Sequence, residues 1–251
     1  MSQIRNACLL IGIAFLLAGC SANWGWYVIS PETETGRNNL LFLIGGFRAT
    51  IELSITAFGL SLILGLIFSL MGLYGVRALR TVSRTYVELF RSVPSLVLIF
   101  WVYYGLPIAL GIKLEPFMAG VLALAFAESA FIAEILRAGV QSVGRGQEEA
   151  ADAIGLNFVD KIRFVIMPQA VRRVLPPLGN QFVYMLKMSA LVSVIGLEDL
   201  MRRANELSTS EYRPLEIYSF LVLEYLILVM IVSAGVRWLE RKMGSDERIG
   251  R

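Results

Sequence analysis

Five apolar runs, each about as long as a helix that crosses a bilayer, constrain this chain more than any other feature of its sequence. They cover residues 53–74, 93–111, 117–137, 178–196 and 215–238. A helix needs about 20 apolar residues to cross the hydrocarbon core of a membrane. Soluble domains spread their apolar residues in amphipathic patterns, whereas 56% of this chain is hydrophobic and 17% is charged. The sequence therefore predicts an all-α integral membrane protein with five core transmembrane helices.

Basic residues alternate between the connections that join these runs. Arginines and lysines are frequent in 75–92, in 138–177 and after Val236, whereas 112–116 and 197–214 balance basic with acidic residues. Cytoplasmic connections of membrane proteins carry an excess of Lys and Arg. The pattern predicts a transmembrane domain over 48–240, an external segment over 23–47 and a cytoplasmic tail over 241–251. The loop 141–168 is then cytoplasmic.

Residues 1–22 form an N-terminal hydrophobic segment that allows two interpretations. The run ends in Leu17-Ala18-Gly19-Cys20, which resembles a lipoprotein cleavage box with Cys20 as the lipid-modified residue. The alternative is a short additional transmembrane helix that ends near the interfacial pair Trp24 and Trp26. Residues 23–45 lie outside in both cases, so the topology of the five core helices does not change.

Several classes of chemistry are absent from the sequence. The chain has no histidine, which removes most acid–base and metal-ligand schemes. Cys8 and Cys20 are too far apart for a CxxC redox or zinc motif. No G-x-x-x-x-G-K-[ST] phosphate loop occurs, so ATP hydrolysis of that type is not expected in this chain. We predict no metal site and no catalytic residue.

One polar stretch, GQEEAADAIGLNFVDKIRFVIMPQ at 146–169, has a consistent set of helix signals. A short helix is expected over 147–154, with Gly155 where a left-handed cap would end it. Asn157 suits the N-cap of a second helix that ends near residue 166. Pro168 is expected to push Met167 out of helical geometry and to begin the next helix. A similar proline pair, Pro176-Pro177, is also typical of a helix start.

The spacing Glu149-Ala150-Ala151, Gly155 and Pro168 resembles the EAA signature of ABC-importer permeases. The flanking stretches RAGVQSVGRGQ, PQAVRRVLPPLGNQF and LVSVIGLEDLMRRANEL resemble the polar amino-acid uptake group of that family. The resemblance runs from about residue 40 to the tail. It implies the type I ABC importer permease fold in a bacterial inner membrane, with this loop as the helix that couples the permease to its ATPase.

The same resemblance implies a set of partners. They are two copies of a separate ATPase, which holds ATP and Mg²⁺, a second permease subunit in a homo- or heterodimer, and an extracytoplasmic amino-acid-binding protein. The chain itself is expected to bind no cofactor. The elbow-shaped loop also has a superficial likeness to DNA-reading helices. A loop tethered by spans on both sides has no free face for a duplex, so no nucleic-acid partner is predicted.

Ionisable residues within the spans are candidates for function because burying a charge in a membrane is costly. Glu128 lies near the middle of its run, and a carboxylate there would suit the cationic end of an amino acid. Lys187 and Ser189 lie in KMSALVSVIG, which resembles a family motif but differs from it at Met188 and at residue 190. We take Glu128, Lys187 and Ser189 as the candidate substrate pathway, with a buried hydrogen-bonded Glu128 as the alternative.

Two further acidic residues in the runs are given structural roles. Glu134 and Arg137 are three residues apart and are expected to pair on one helix face. Glu224 is expected to be a packing contact.

Two other functions would explain the membrane topology. A secondary transporter or channel that works alone would use Glu128 and Glu224 as an ion relay and would need no ATPase. A membrane-anchored scaffold would bind a partner through its loop without transporting a solute. Neither explains the EAA spacing and its flanks, so an ATP-driven importer of polar amino acids is the prediction.

Overall fold

The structure is a computed structural model that describes residues 24–242, and within this range every regular element is helical. The predicted segment 1–22 with Cys20, and the tail beyond residue 242, lie outside the described residues. The α-helices are α1 (Glu34–Ile44), α2 (Phe47–Tyr74), α3 (Arg77–Ser92), α4 (Ser95–Phe100), α5 (Leu106–Leu110), α6 (Pro116–Gln141), α7 (Arg145–Ala153), α8 (Phe158–Asp160), α9 (Met167–Met188), α10 (Leu200–Glu211) and α11 (Pro214–Lys242). Two π-helical stretches, Trp101–Gly105 and Lys161–Ile166, and two 3₁₀ stretches, Trp26–Ile29 and Ser189–Ile195, lie between them.

Four helical stretches are long and apolar enough to cross a membrane: Glu34–Tyr74, Pro116–Gln141, Phe158–Ile195 and Pro214–Lys242. Helix α3 and the segment Ser95–Leu110 meet the same criteria only when they are taken together, and they are bent at an angle of 101° to each other. Pro94 stands at this bend as the N-cap of α4. With the bent pair taken as one span, the described residues contain the five core helices that the apolar runs predict.

The helical stretch that contains the first span begins much earlier than its apolar run suggests. Thr33 caps α1 by accepting a hydrogen bond from the backbone of Gly36, and the chain continues through Gly45 and Gly46 into α2. At Gly46 a β-carbon would stand 2.6 Å from the backbone nitrogen of Leu200, so only glycine allows this approach to α10. Because the first turns of α1 are polar, a search for apolar runs does not detect this helix.

The expected helix start at Pro176-Pro177 is wrong. Both prolines lie inside α9, which runs without a break from Met167 to Met188. A proline lacks the N–H group of an interior helical bond, but a span packed on both sides by other helices tolerates that loss. In this structure α9 packs against α6 and α11. Tertiary packing therefore overrides the local signal.

Helix α6 forms the centre of the bundle. It packs against α2, against α9 and against α3, and α11 packs on the far side of α9. Its inner faces are built from small residues, which allow neighbouring helices to approach closely: Ala119, Gly120, Ala123, Ala127, Ala130 and Ala133 are buried. We call the end of the bundle that carries residues 141–168 the loop end, and the end that carries residues 24–46 and 197–213 the cap end.

Candidate functional site

The loop between α6 and α9 folds into a sharp elbow. Helix α7 ends at Ala153, and Gly155 adopts a left-handed conformation with φ of 76°. The backbone N–H of Gly155 donates to the carbonyl of Asp152, and that of Leu156 donates to the carbonyl of Ala151 at 3.1 Å. These bonds satisfy carbonyls that the end of a helix would leave unpaired. The predicted role of Gly155 as the cap is confirmed.

Asn157 begins the second half of the elbow. Its side-chain oxygen accepts a hydrogen bond from the backbone N–H of Asp160 at 2.9 Å, and its amide donates to the Asp160 carboxylate at 2.7 Å. This reciprocal pair is typical of an N-cap and fixes the direction in which the chain leaves the turn. Helix α8 starts at Phe158, as the sequence predicts.

The expected break before Pro168 is wrong. Met167 has φ of −61° and ψ of −45°, which are ordinary helical values. The helix instead passes through the π-helical stretch Lys161–Ile166 immediately before α9. A π-helical stretch widens the helix and removes the need for the bonds that a proline cannot make. Pro168 therefore lies in the first turn of α9, and the elbow joins that span without a flexible hinge.

Side-chain contacts tie the elbow to the spans. Lys161 forms an ion pair with Asp152 at 2.6 Å across the turn. Arg173 of α9 donates a hydrogen bond to the carbonyl of Ser142, just after α6. The ring of Tyr74, at the end of α2, meets the ring of Phe158 edge-on at 6.0 Å. These contacts connect the elbow directly to α2, to the end of α6 and to α9.

Of the three residues at the start of the signature, two face outward. Glu149 and Ala150 are exposed, whereas Ala151 is 2% exposed and supplies a carbonyl to the turn. The small side chain of Ala150 leaves the outer face of α7 open to close approach by another protein. Ala151 is small for a different reason, because its side chain is buried inside the elbow. The signature therefore combines one outward-facing pair with one internal packing residue.

The elbow exposes an apolar surface that the sequence analysis missed. We define the elbow patch as Ile154, Phe158, Val159 and Phe164, whose exposed fractions lie between 62% and 75%. Several large apolar side chains exposed on one polar loop are typical of a surface that binds a protein. The available signal was the pair Phe158-Val159 directly after an N-cap, since large apolar residues are unusual on a solvated turn.

Glu128 lies within the bundle, fully buried on α6. The side-chain amide of Gln181, on α9, donates a hydrogen bond to one carboxylate oxygen. The other oxygen, Oε1, has no hydrogen-bond partner among the described residues. An unsatisfied buried carboxylate oxygen is costly, so it is a site where a donor group of a ligand would be stabilised. Gln181 was missed because nothing in its local sequence distinguishes it from other polar positions in α9.

The other two candidate pathway residues do not join Glu128. Lys187 is exposed on α9, and Ser189 is buried and donates its hydroxyl to the carbonyl of Leu186. Among residues 24–242 no hydrogen bond or ion pair connects either side chain with Glu128. The three residues thus occupy separate environments in this conformation.

Glu134 forms the predicted pair with Arg137, at 3.0 Å, and also pairs with Arg91 of α3 at 3.0 Å. The second pair joins α3 to α6 close to the bend of the fifth span. Glu224, predicted as a packing contact, is 3% exposed on α11, and neither of its oxygens has a partner among the described residues.

Comparison with known proteins finds that this chain is similar to membrane subunits of transport systems. The family model for the binding-protein-dependent transport system inner membrane component matches residues 40–245. The probable glutamine ABC transporter permease protein GlnM of Bacillus subtilis is 39% identical over 206 residues, which cover 82% of this chain and 95% of that protein. The glutamine transport system permease protein GlnP of Escherichia coli is 36% identical over 202 residues, 80% of this chain and 92% of the relative.

Solved structures of ABC transporters are also similar to this chain. The crystal structure of an amino acid ABC transporter with histidines superimposes with a TM-score of 0.77 at 37% identity, covering 81% of this chain and 94% of that one. An inward-facing structure of the MetNI methionine ABC transporter gives a TM-score of 0.70 at 18% identity, covering 81% of this chain and 96% of its counterpart. The second match supports the fold alone.

Proposed function

The chain belongs to the family of binding-protein-dependent transport system inner membrane components, and from that premise we propose which solute it carries and how it is driven. It is a permease subunit of an ABC importer with the type I fold, and it is not an enzyme. The proposed substrates are polar amino acids. Two relatives are named for glutamine, and the arginine transport system permease protein ArtQ of Bacillus subtilis is 34% identical over 206 residues.

We propose that the elbow is the surface on which a separate ATPase subunit docks. The observation that carries this proposal is the elbow patch, an exposed apolar surface held rigidly on three spans. Glu149 and Ala150 lie exposed on the adjoining helix, where a carboxylate can pair with a basic group of the partner. Gly155 and Pro168 shape the turn and its connection to α9. ATP and Mg²⁺ would be held by that partner and not by this chain.

The proposed pathway uses the buried pair of Glu128 and Gln181. The unpaired carboxylate oxygen of Glu128 would accept a hydrogen bond from the ammonium group that every amino acid carries. The Gln181 amide keeps the carboxylate oriented. Lys187 and Ser189 remain candidates for contacts in another conformation, since alternating access rearranges the spans. No covalent step is involved.

The remaining assembly follows from the same family. We propose a pore made by two permease subunits, identical or paralogous, with two ATPase copies at the loop end and an amino-acid-binding protein at the cap end. The loop end and the C-terminus would face the cytoplasm and residues 24–45 the exterior. Support for this orientation comes from the excess of Arg and Lys in the connections at the loop end.

Transport into lipid vesicles tests the proposal. The protein, co-expressed with its neighbouring ATPase and binding protein, is supplied with glutamine, arginine and glutamate, with and without ATP. Wild type should require ATP, and Glu149→Arg should abolish uptake while Glu115→Arg, which has the same change of charge at the cap end, should not. Uptake that persists without ATP or the ATPase would instead support the stand-alone transporter.

The same assay tests the pathway through Glu128→Gln. A glutamine keeps the shape of the side chain but removes the charge that would attract an ammonium group. We expect uptake of each transported amino acid to fall about tenfold or more, because a buried charged hydrogen bond is lost. Normal uptake by Glu128→Gln would assign the residue a structural role.

A further inference from the structure

A cavity of about 840 Å³ opens between α2, α3 and α6 at the loop end of the bundle. It lies beside the elbow but shares no residue with the elbow patch. Four arginines line it, Arg80, Arg84, Arg91 and Arg137, together with the carboxylates of Glu88 and Glu134. The cavity therefore has a net charge of +2 next to a membrane span.

The four arginines differ in how firmly they are held. Arg91 and Arg137 share one carboxylate, that of Glu134. Arg80 has a single long hydrogen bond, 3.4 Å, to the carbonyl of Gly75, and Arg84 has no ion pair or hydrogen bond among the described residues. Two exposed guanidinium groups in the cavity lining are thus available to an anion, and a guanidinium binds phosphate oxygens in a bidentate geometry.

The rest of the lining is mixed, with the polar residues Ser69, Ser83, Ser92 and Gln141 beside apolar ones. Phe68, Val87 and Phe131 form walls beside the arginines. Helix α3 meets the following segment of its span at 101°, which lays α3 along the membrane surface if that segment crosses the bilayer. The side of α3 away from the arginines exposes Val82 and Leu89, by 53% and 56%. The arginines of α3 other than Arg77 therefore lie on the side of the helix that lines the cavity.

We propose that this cavity binds the headgroup of an anionic glycerophospholipid. Its phosphodiester lies against Arg80 and Arg84, and its glycerol and first acyl methylenes lie against the apolar walls. A basic pocket between transmembrane helices on the cytoplasmic side is a recognised form of lipid-headgroup site. The combination of charge with aromatic and aliphatic walls favours a lipid over a soluble phosphate, which would gain nothing from the apolar surface. The inference does not depend on which amino acid is transported.

Lipid binding by the full-length protein tests this assignment. The detergent-solubilised transporter is titrated with phosphatidylglycerol and, in parallel, with phosphatidylcholine of the same chains, and bound lipid is counted by native mass spectrometry. The wild type should retain phosphatidylglycerol selectively. Arg80→Gln with Arg84→Gln should weaken its binding about 30-fold, because each arginine near the headgroup contributes a factor of about five. Arg77→Gln removes the same charge from α3 outside the cavity and should change binding by less than twofold.

Further measurements distinguish phosphatidylglycerol from other ligands that could fill the cavity. Arg84→Lys keeps the charge and should retain part of the selectivity, and equal melting temperatures of the variants would show that they are folded. Millimolar glycerol 3-phosphate should not displace the lipid; displacement would identify a soluble phosphate as the ligand and overturn the proposal. Equal binding of the two lipids, or loss of phosphatidylglycerol when the complete transporter assembles, would also overturn it.

Discussion

The two ends of the bundle differ in the extent of their buried apolar clusters, which is large at the cap end and small at the loop end. At the cap end Val28, Leu43 and Leu200 are fully buried in a cluster made by residues from α1, α10 and α11. At the loop end the elbow patch leaves four large apolar side chains 62–75% exposed. Both ends consist of short helices between spans, so length and composition do not explain the difference. The cap end therefore has the larger core of its own, although Leu41 and Tyr212 are exposed there, and we propose that the exposed elbow patch at the loop end is covered by another protein.

Polar contacts follow the same division. At the cap end the amide of Asn39 donates to the carbonyl of Val28 and to the carboxylate of Glu211, and Arg203 donates to the carbonyl of Phe42. The bonds to Glu211 and to Phe42 join segments that are 172 and 161 residues apart in sequence. At the loop end the bonds lie within the elbow or tie it to the spans, as between Lys161 and Asp152. The elbow is therefore held together by internal bonds, while its outer surface is exposed.

The largest expected effect on stability lies at the cap end. Leu43→Ala removes a fully buried side chain from the cap cluster and should lower the free energy of unfolding by about 2–5 kcal/mol. Leu41→Ala, two residues earlier and 65% exposed, should change it by less than about 0.5 kcal/mol. Thermal unfolding in detergent measures both. Equal effects would show that the cap is not a packed core.

The elbow patch should show the reverse pattern. Ile154→Asp, at a side chain 75% exposed, should leave thermal stability nearly unchanged but reduce ATP-dependent uptake about tenfold or more, because a charge would be buried against the partner. Val76→Asp is the control, since Val76 is 69% exposed at the same end but outside the elbow. A similar loss of uptake in both variants would show that the elbow patch is no more important for transport than other exposed apolar residues at the loop end.

Gly155 gives a smaller and more local effect. Its φ is 76°, and a β-carbon there would meet nothing within 4 Å, so the cost of Gly155→Ala is backbone strain alone. That strain amounts to about 1–2 kcal/mol. Gly144 also has open space around it but has φ of −64°, so Gly144→Ala should be tolerated. Comparison of melting temperature and uptake for the two variants separates strain from bulk.

Asp199 should give a small effect within the pH interval tested, as a pH dependence of the cap end. Its carboxylate is buried and caps α10 through the backbone N–H of Arg202. Burial raises its pKa to about 7, although hydrogen bonds from the backbone of α10 oppose the shift. Because the pKa in the folded protein exceeds that of about 4 in the unfolded chain, the neutral form favours folding. Stability is then lost as pH rises from about 4 to 7 and is constant above.

Thermal unfolding between pH 6 and pH 8 checks this sign. Wild type should lose about 1 kcal/mol of stability over that interval. Asp199→Asn keeps a good N-cap and has no charge to bury, so its melting temperature should depend less on pH. A wild type that becomes more stable as pH rises through this interval would contradict the assigned direction.

The sequence predicted the elements whose signals are local. Apolar length located the spans, and the residues of the turn located Gly155 and Asn157. The beginning of this helical stretch at Glu34 was missed because the first turns of α1 are polar and α1 is held by contacts with α10, 161 residues away at the hydrogen bond between Arg203 and Phe42. The continuity of the helix at Pro168 was missed because a π-helical stretch leaves no recognisable pattern in the sequence. Gln181 was missed for a similar reason, since only tertiary packing brings it to Glu128.

The central claim, that the elbow patch is the docking surface for the ATPase, is tested most directly by photo-cross-linking. A benzophenone-bearing phenylalanine analogue replaces Phe158 in the complete transporter, and the same analogue replaces Phe42 at the cap end as the control. Irradiation should join the ATPase to the chain from position 158 and not from position 42. Adducts to the ATPase from position 42, or none from position 158 in a transporter that still hydrolyses ATP, would contradict the account.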